Sequence, residues 1–154
     1  MKKPDLFLEC INQGYKQVII VDTENVDSSA YRNLTMFKKE DTIIILETSV
    51  SKPLRYNVIC KLLNTKAKIE YQNVIDTPVG VKNALDFKIV TLATELLSTR
   101  KRIFVTIISE DKGYDSAINY LKNKRNIPWI RRCSVISSPK DLNLDEEINK
   151  ALVK

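Results

Sequence analysis

The stretch VIIVDTEN, residues 18–25, sets four apolar residues directly against Asp22. A second run, DTIIILET at 41–48, ends at Glu47, and a third, RIFVTIIS at 102–109, leads into Glu110 and Asp111. A strand with one wet face alternates apolar and polar residues. A strand covered on both faces is apolar throughout, which is the pattern of a parallel sheet between helices. Weaker strands are expected at AKIEYQNVI (67–75) and within IPWIRRCSVI (127–136).

The intervening segments read as helices. They fall at 3–14, at 53–64 (opened by Pro53), at 81–98 and at 112–124, with a helix or helical loop over 27–38. A last helix is expected over 143–152, with Asp145, Glu146 and Glu147 at its positive end. Strands alternating with helices predict an α/β fold: a three-layer α/β/α sandwich around a mostly parallel sheet. No repeat or long linker interrupts the pattern. A single domain over 1–154 is expected, with its core at 17–136 between an N-terminal helix (3–14) and a C-terminal helix (143–152).

Composition narrows the chemistry. The chain contains no histidine, which excludes Ser-His-Asp triads, HExxH zinc sites and histidine-based nucleases. Three cysteines at 10, 60 and 133 form no CxxC pair, so neither a zinc site nor a disulfide framework is expected. With no apolar run of ~20 residues and with Asp5, Glu9 and Cys10 interrupting the first apolar segment, the reading is a cytoplasmic protein. Lys plus Arg (25) exceed Asp plus Glu (19), giving a net charge of +6. That excess suits a polyanionic partner or simply a solubilising surface.

In parallel sheets ligands gather at the C-terminal strand ends, where strand order reverses. Acids stand at three of those exits. Asp22 either caps the next segment or faces a site. In IISEDKGYDSAINYL (107–121), Asp111 and Asp115 either cap a helix or add two more carboxylates, and Gly113 permits an unusual backbone angle or a close approach. Asp86, in NALDFKIV (83–90), borders the buried side of the most apolar helix. A carboxylate there needs a partner, either Lys82 four residues earlier or a cation. Carboxylates converging on one crevice repel and raise one another's pKa values, and a divalent ion removes that cost. Oxygen-only ligands select Mg²⁺ or Mn²⁺, which can activate water for phosphodiester hydrolysis without histidine.

The segments VDTEN, NALDFKIV and ISEDKGYDSAINYL resemble the acidic motifs of PIN-like nucleases, closest to the NYN branch. The resemblance covers residues 17–136, and its most specific part is the SxDxGYD turn with the upstream helical Asp. It implies a parallel α/β/α sandwich and a metal-dependent ribonuclease using Mg²⁺ or Mn²⁺ on single-stranded or structured RNA. By resemblance, Asp22, Asp86, Asp111 and Asp115 are the catalytic and metal-binding acids. Asn25 matches the Asn that often follows the first acid in the NYN branch, and Ser109 would orient Asp111 or water. The acid that PIN nucleases usually carry on a helix after the first strands has no match in 53–64; either Glu47 compensates from a strand end, or three to four acids suffice as in NYN-type sites. Glu24 falls outside the expected metal shell.

Lys52, Arg55, Lys82 and Lys112 flank the strand exits and are the expected phosphate contacts. Tyr114 would stack on a base or else belong to the core. The clusters RKR (100–102) and KNKR (122–125) precede strands, so they are expected at the opposite edge of the sheet, away from the RNA. The second functional reading is a PIN-like RNA-binding or protein-interaction module without catalysis, and a protein partner or homo-oligomer fits either.

Overall fold

The computed structural model describes residues 5–74 and 84–136. Five strands form one sheet: β1 (Lys16–Asp22), β2 (Thr42–Glu47), β3 (Lys68–Asn73), β4 (Ile103–Ile108) and β5 (Ile130–Cys133). Their order is β3-β2-β1-β4-β5 and every pairing is parallel. From β1 the chain winds outward one way through β2 and β3, then crosses back to add β4 and β5. Strand order therefore reverses between β1 and β4, and a crevice opens at their C-terminal ends.

Period-two alternation assigns the faces. Val18 and Ile20 of β1, Ile44 and Leu46 of β2, and Val105 and Ile107 of β4 point to the face covered by α3 (Ala84–Thr99) and α4 (Tyr114–Lys124). Ile19, Val21, Ile43, Ile45 and Ile108 point to the other face. There they meet α2 (Tyr56–Asn64) and the loop carrying Val26, Ala30, Tyr31, Leu34 and Phe37. The three-layer sandwich is thus present, and both faces of the central strands are buried. A satellite cluster joins α1 (Leu6–Asn12) to β4, with the Phe7 and Phe104 rings edge to face at 5.1 Å.

Residues 27–38, expected as a helix or helical loop, take the looped form, with two short 3-10 turns at Ser28–Ala30 and Leu34–Met36. Asn33, between them, adopts a left-handed φ of 59°, and the Asp27 side chain takes the Ser29 N–H, so local side-chain bonds win over helix propagation. The helix expected from 53 starts at Tyr56. The Lys52 N–H donates to the Thr23 carbonyl and the Arg55 N–H to Ser28 Oγ, which pins 52–55 against the loop after β1. The helix expected over 81–98 is present from Ala84, its first residues lying outside the described ones. The C-terminal helix expected over 143–152 lies wholly outside them.

Candidate active site

Asp22 ends β1 at the switch point, and its parity places it on the α3/α4 face with Val18 and Ile20. It is completely buried (0% exposed). Three donors converge on its Oδ2: Asn25 Nδ2 at 2.7 Å, Ser109 Oγ at 2.8 Å and the Tyr114 hydroxyl at 3.2 Å. Its Oδ1, equally buried, has no hydrogen-bond partner. An unpaired carboxylate oxygen inside a protein costs several times RT, so a native chain keeps one for a reason.

Tyr114 opens α4 and is buried, and its hydroxyl also reaches Asp86 Oδ1 at 3.0 Å. One hydroxyl holds one proton, so it cannot serve two ionised carboxylates fully. Burial raises the pKa of Asp86. The Tyr114 hydrogen bond opposes that shift, and the negative charges of Asp22, Asp111 and Glu24 add to it. Burial and the charges of Asp22 and Asp86 push the Tyr114 phenol far up, so it remains a donor. The site therefore gathers Asp22, Asp111 and Glu24 close enough to Asp86 for their charges to act on it. The Arg132–Asp115 and Lys68–Glu70 ion pairs do not reach Asp22 or Asp86.

Ser109, one residue beyond β4, is fully buried and works in both directions. Its hydroxyl accepts the Asp111 N–H (3.0 Å) while donating to Asp22, so the two strand exits are tied through one side chain. Asp111 Oδ1 accepts the Gly113 N–H at 2.8 Å, a tight local turn that leaves Oδ2 available. Gly113 needs no special backbone angle, with φ −57°. Its role is close approach: a Cβ there would stand 3.0 Å from Asp111 Oδ1.

Asp115 is placed differently. It accepts a two-pronged contact from Arg132, Nε to Oδ1 at 2.9 Å and Nη2 to Oδ2 at 3.2 Å. That hydrogen bond holds its pKa below the ordinary carboxylate value. Arg132 Nη1 also donates to the Ser109 carbonyl at 3.0 Å. Asp115 thus orients Arg132, which in turn fixes the turn after β4. Arg132, from the last strand, was not foreseen. The one hint was that β5 follows β4 at the sheet's edge, beside the SEDKGYD turn.

Glu47 belongs with Ile43 and Ile45 by parity, facing α2 and away from Asp22. It lines a separate cavity of about 470 Å³ with Thr23, Tyr31 and Lys52. It does not replace the missing helical acid. Glu24 behaves oppositely. It accepts from Thr48 Oγ1 at 2.7 Å and contributes its charge to the field at Asp86, so it belongs to the electrostatic site. Tyr114, 3% exposed, has no face free for a base, which removes the stacking reading in favour of the core one. Lys52 and Arg55 are exposed and near Asp27, whose pKa their charges help to lower, chiefly after its Ser29 hydrogen bonds. Lys112 is exposed beside Asp111 and Asp115, and Lys82 lies outside the described residues.

A family model described as PIN domain matches residues 16–127, from the start of β1 to beyond α4. The chain belongs to the PIN domain family. No curated protein and no solved structure matches it significantly. The PIN domain match carries the nuclease-like fold seen in the sheet order, and PIN domains are typically nucleases that generally use divalent metals.

The residues of this PIN domain can be tested against such a cation. Among the described residues no three acidic or thiol side chains form a ready-made ligand group. Mg²⁺ does not require one, since it binds through one or two carboxylates, several waters and the substrate's phosphates. The orphaned Asp22 Oδ1 and the negative charges of Asp22, Asp111 and Glu24 that act on Asp86 are the features a small hard cation relieves. Asp22, Asp86 and the unengaged oxygen of Asp111 are the donors that fit.

Proposed function

We propose that this PIN domain is a metal-dependent ribonuclease that hydrolyses RNA phosphodiester bonds at the β1/β4 crevice. The carrying observation is the buried Asp22 at the switch point, with one oxygen unpaired and the other bound to the hydroxyl that also holds Asp86. Asp22, Asp86 and Asp111 would hold Mg²⁺ or Mn²⁺. Such an ion lowers the pKa of water and neutralises charge developing on a phosphoryl group.

The remaining work falls to the chain itself. Ser109 and Asn25 fix the Asp22 carboxylate, Tyr114 keeps Asp22 and Asp86 apart by one hydroxyl, and Arg132 anchors the turn that presents Asp111. Asp115 acts through Arg132. Lys52, Arg55, Lys82 and Lys112 are proposed phosphate contacts. The Asn25–Asp22 hydrogen bond supports assignment to the NYN branch. Three free cysteines suit the reducing cytosol, and residues 1–154 are read as one domain.

The test is incubation of end-labelled RNA and matched DNA with wild type, with and without Mn²⁺. Cleavage of RNA that EDTA stops and Asp111→Asn removes supports the reading. Full cleavage by Asp22→Asn, Asp86→Asn and Asp111→Asn alike overturns it.

One observation favours the second reading, an RNA-binding or protein-interaction module without turnover. The described acids form no preassembled three-ligand group, and Asp115 is committed to Arg132. That reading predicts RNA affinity falling steeply with salt and no cleavage in any divalent metal.

A further inference from the structure

A groove of about 1130 Å³ lies between α3 and α4. Asp86 and Asp111 form its upper end, so it opens directly onto the acidic centre. From there it follows α4, whose 11 residues span ~16 Å, down to Arg125. Two aromatic side chains flank it while largely exposed: Phe87 at 69%, next to Asp86, and Tyr120 at 53%, two turns along α4. Both rings therefore present most of their surface to solvent beside the groove.

We propose that this groove seats a single strand of RNA adjoining the scissile bond, with Phe87 and Tyr120 as base-stacking platforms. The proposal rests on the ribonuclease reading and names the substrate path for the same centre. Three features select a nucleic-acid strand over a peptide or a second copy of the chain. The groove is continuous with the acids that would carry out the cleavage. Its far end is basic: Arg125 lines it, Lys122 and Lys124 stand on the same last turn of α4, and the Arg125 guanidinium lies 5.9 Å from the Tyr120 ring centroid. A planar cation beside an exposed ring is the pairing that holds a base by its face and a phosphate by charge. The third feature is the mixed floor, where apolar Val90, Ala117 and Ile127 alternate with hydroxyls such as Ser116. Such a floor accepts base faces and sugar edges alike. The KNKR cluster does lie at the opposite edge of the sheet from the acids, as its position before β5 requires, and the groove is what connects the two. Stacking is indifferent to base identity, so the path confers strandedness and little sequence preference.

The experiment uses the full chain with a short fluorescein-labelled single-stranded RNA, and the same RNA carrying 2-aminopurine. Binding is read by anisotropy in Ca²⁺ or EDTA, so that it is measured without turnover. Phe87→Ala and Tyr120→Ala are each expected to weaken binding roughly 5- to 100-fold. Each should also abolish part of the 2-aminopurine quenching, and Tyr120→Trp, which keeps a ring at that position, should retain it. Arg125→Gln should reduce the slope of log affinity against log salt by about 0.7. An equivalent RNA duplex should bind more weakly and show no quenching change. Wild-type binding and quenching left intact in both alanine variants overturn the groove assignment, while the ribonuclease reading stands if wild type still cleaves. A dimer that Tyr120→Ala dissociates, with RNA binding unchanged, assigns the groove to a second copy and also overturns it. No RNA binding by wild type ends both readings.

Discussion

Asp22 of β1 and Asp86 of α3 hydrogen-bond to the same atom, the Tyr114 hydroxyl, at 3.2 and 3.0 Å. Two carboxylates are thereby held within about two hydrogen-bond lengths of each other inside the protein. Tyr114→Phe keeps the ring and removes the shared donor. We expect a loss of about 1 kcal/mol in urea unfolding without metal, since half-buried Asp86 loses this donor while Asp22 keeps those of Asn25 and Ser109. Added Mn²⁺ should recover more stability in this variant than in wild type, because the ion neutralises the charge that the hydroxyl otherwise screens.

Asp86 carries a stability cost with a defined pH dependence. Its native pKa lies above the ordinary carboxylate value, chiefly through burial. A raised native pKa means the folded state holds the proton more tightly than the unfolded chain. The associated stability is present in acid and lost as pH rises through the native pKa. Asp86→Asn removes the titration. It should melt roughly a few °C above metal-free wild type at pH 7, with the difference vanishing near pH 3. Equal melting temperatures at pH 7 would show that Asp86 is not strained by its neighbours. The same variant should lose cleavage, trading activity for stability.

Asp115 and Arg132 should behave as a positioning pair. Asp115→Asn leaves Asp22, Asp86 and Asp111 in place and should reduce cleavage much less than Asp111→Asn. Arg132→Lys cannot reproduce a fork that grips both carboxylate oxygens and the Ser109 carbonyl. It should cost about 1 kcal/mol, near the upper limit for a partly exposed pair, and lower activity more than Asp115→Asn. The Asp115 pKa is held low, so this contribution is present above the ordinary carboxylate pKa and disappears as pH falls through the native value. Comparing urea midpoints of both variants at pH 7 and pH 3 checks the sign.

Gly113 supplies room. Gly113→Ala places a Cβ 3.0 Å from Asp111 Oδ1, displacing the carboxylate or the turn by a few tenths of an ångström. With an ordinary helical φ, the backbone itself tolerates alanine. We expect unchanged stability, within about 0.5 kcal/mol, with cleavage reduced. A variant as active as wild type would show that the Asp111 position is not critical.

Much of this was legible in the sequence for physical reasons. Apolar runs at 18–21, 43–46 and 103–108, broken only by Thr106, are the pattern of parallel, doubly covered strands, and the carboxyl ends of such strands locate the crevice. Asp86 on an apolar helix signalled an unmet partner. The partner itself was hidden: a hydrogen bond from Tyr114 spans two helices, and a tyrosine at a helix start carries no mark distinguishing a bridge from a stacking platform. Arg132 was equally invisible, being brought to Asp115 only by the β4/β5 pairing. The side of Glu47 was recoverable, since Ile43, Ile45 and Glu47 share one face by period two. Which of its two expected forms 27–38 takes depended on Asn33 and Asp27 outcompeting the helical bonds, a balance that apolar spacing does not report.

The central claim is that the acids around Asp22 form a cation site and are not merely a hydrogen-bonded network. Titration of the full chain with Mn²⁺, followed by electron paramagnetic resonance of the free ion, tests it without requiring turnover. The account predicts saturable binding to wild type that weakens at least roughly tenfold in Asp22→Asn and in Asp86→Asn, about 1.4 kcal/mol each, with Asp115→Asn close to wild type. Binding that is absent in wild type, or unchanged in both Asp22→Asn and Asp86→Asn, would contradict it.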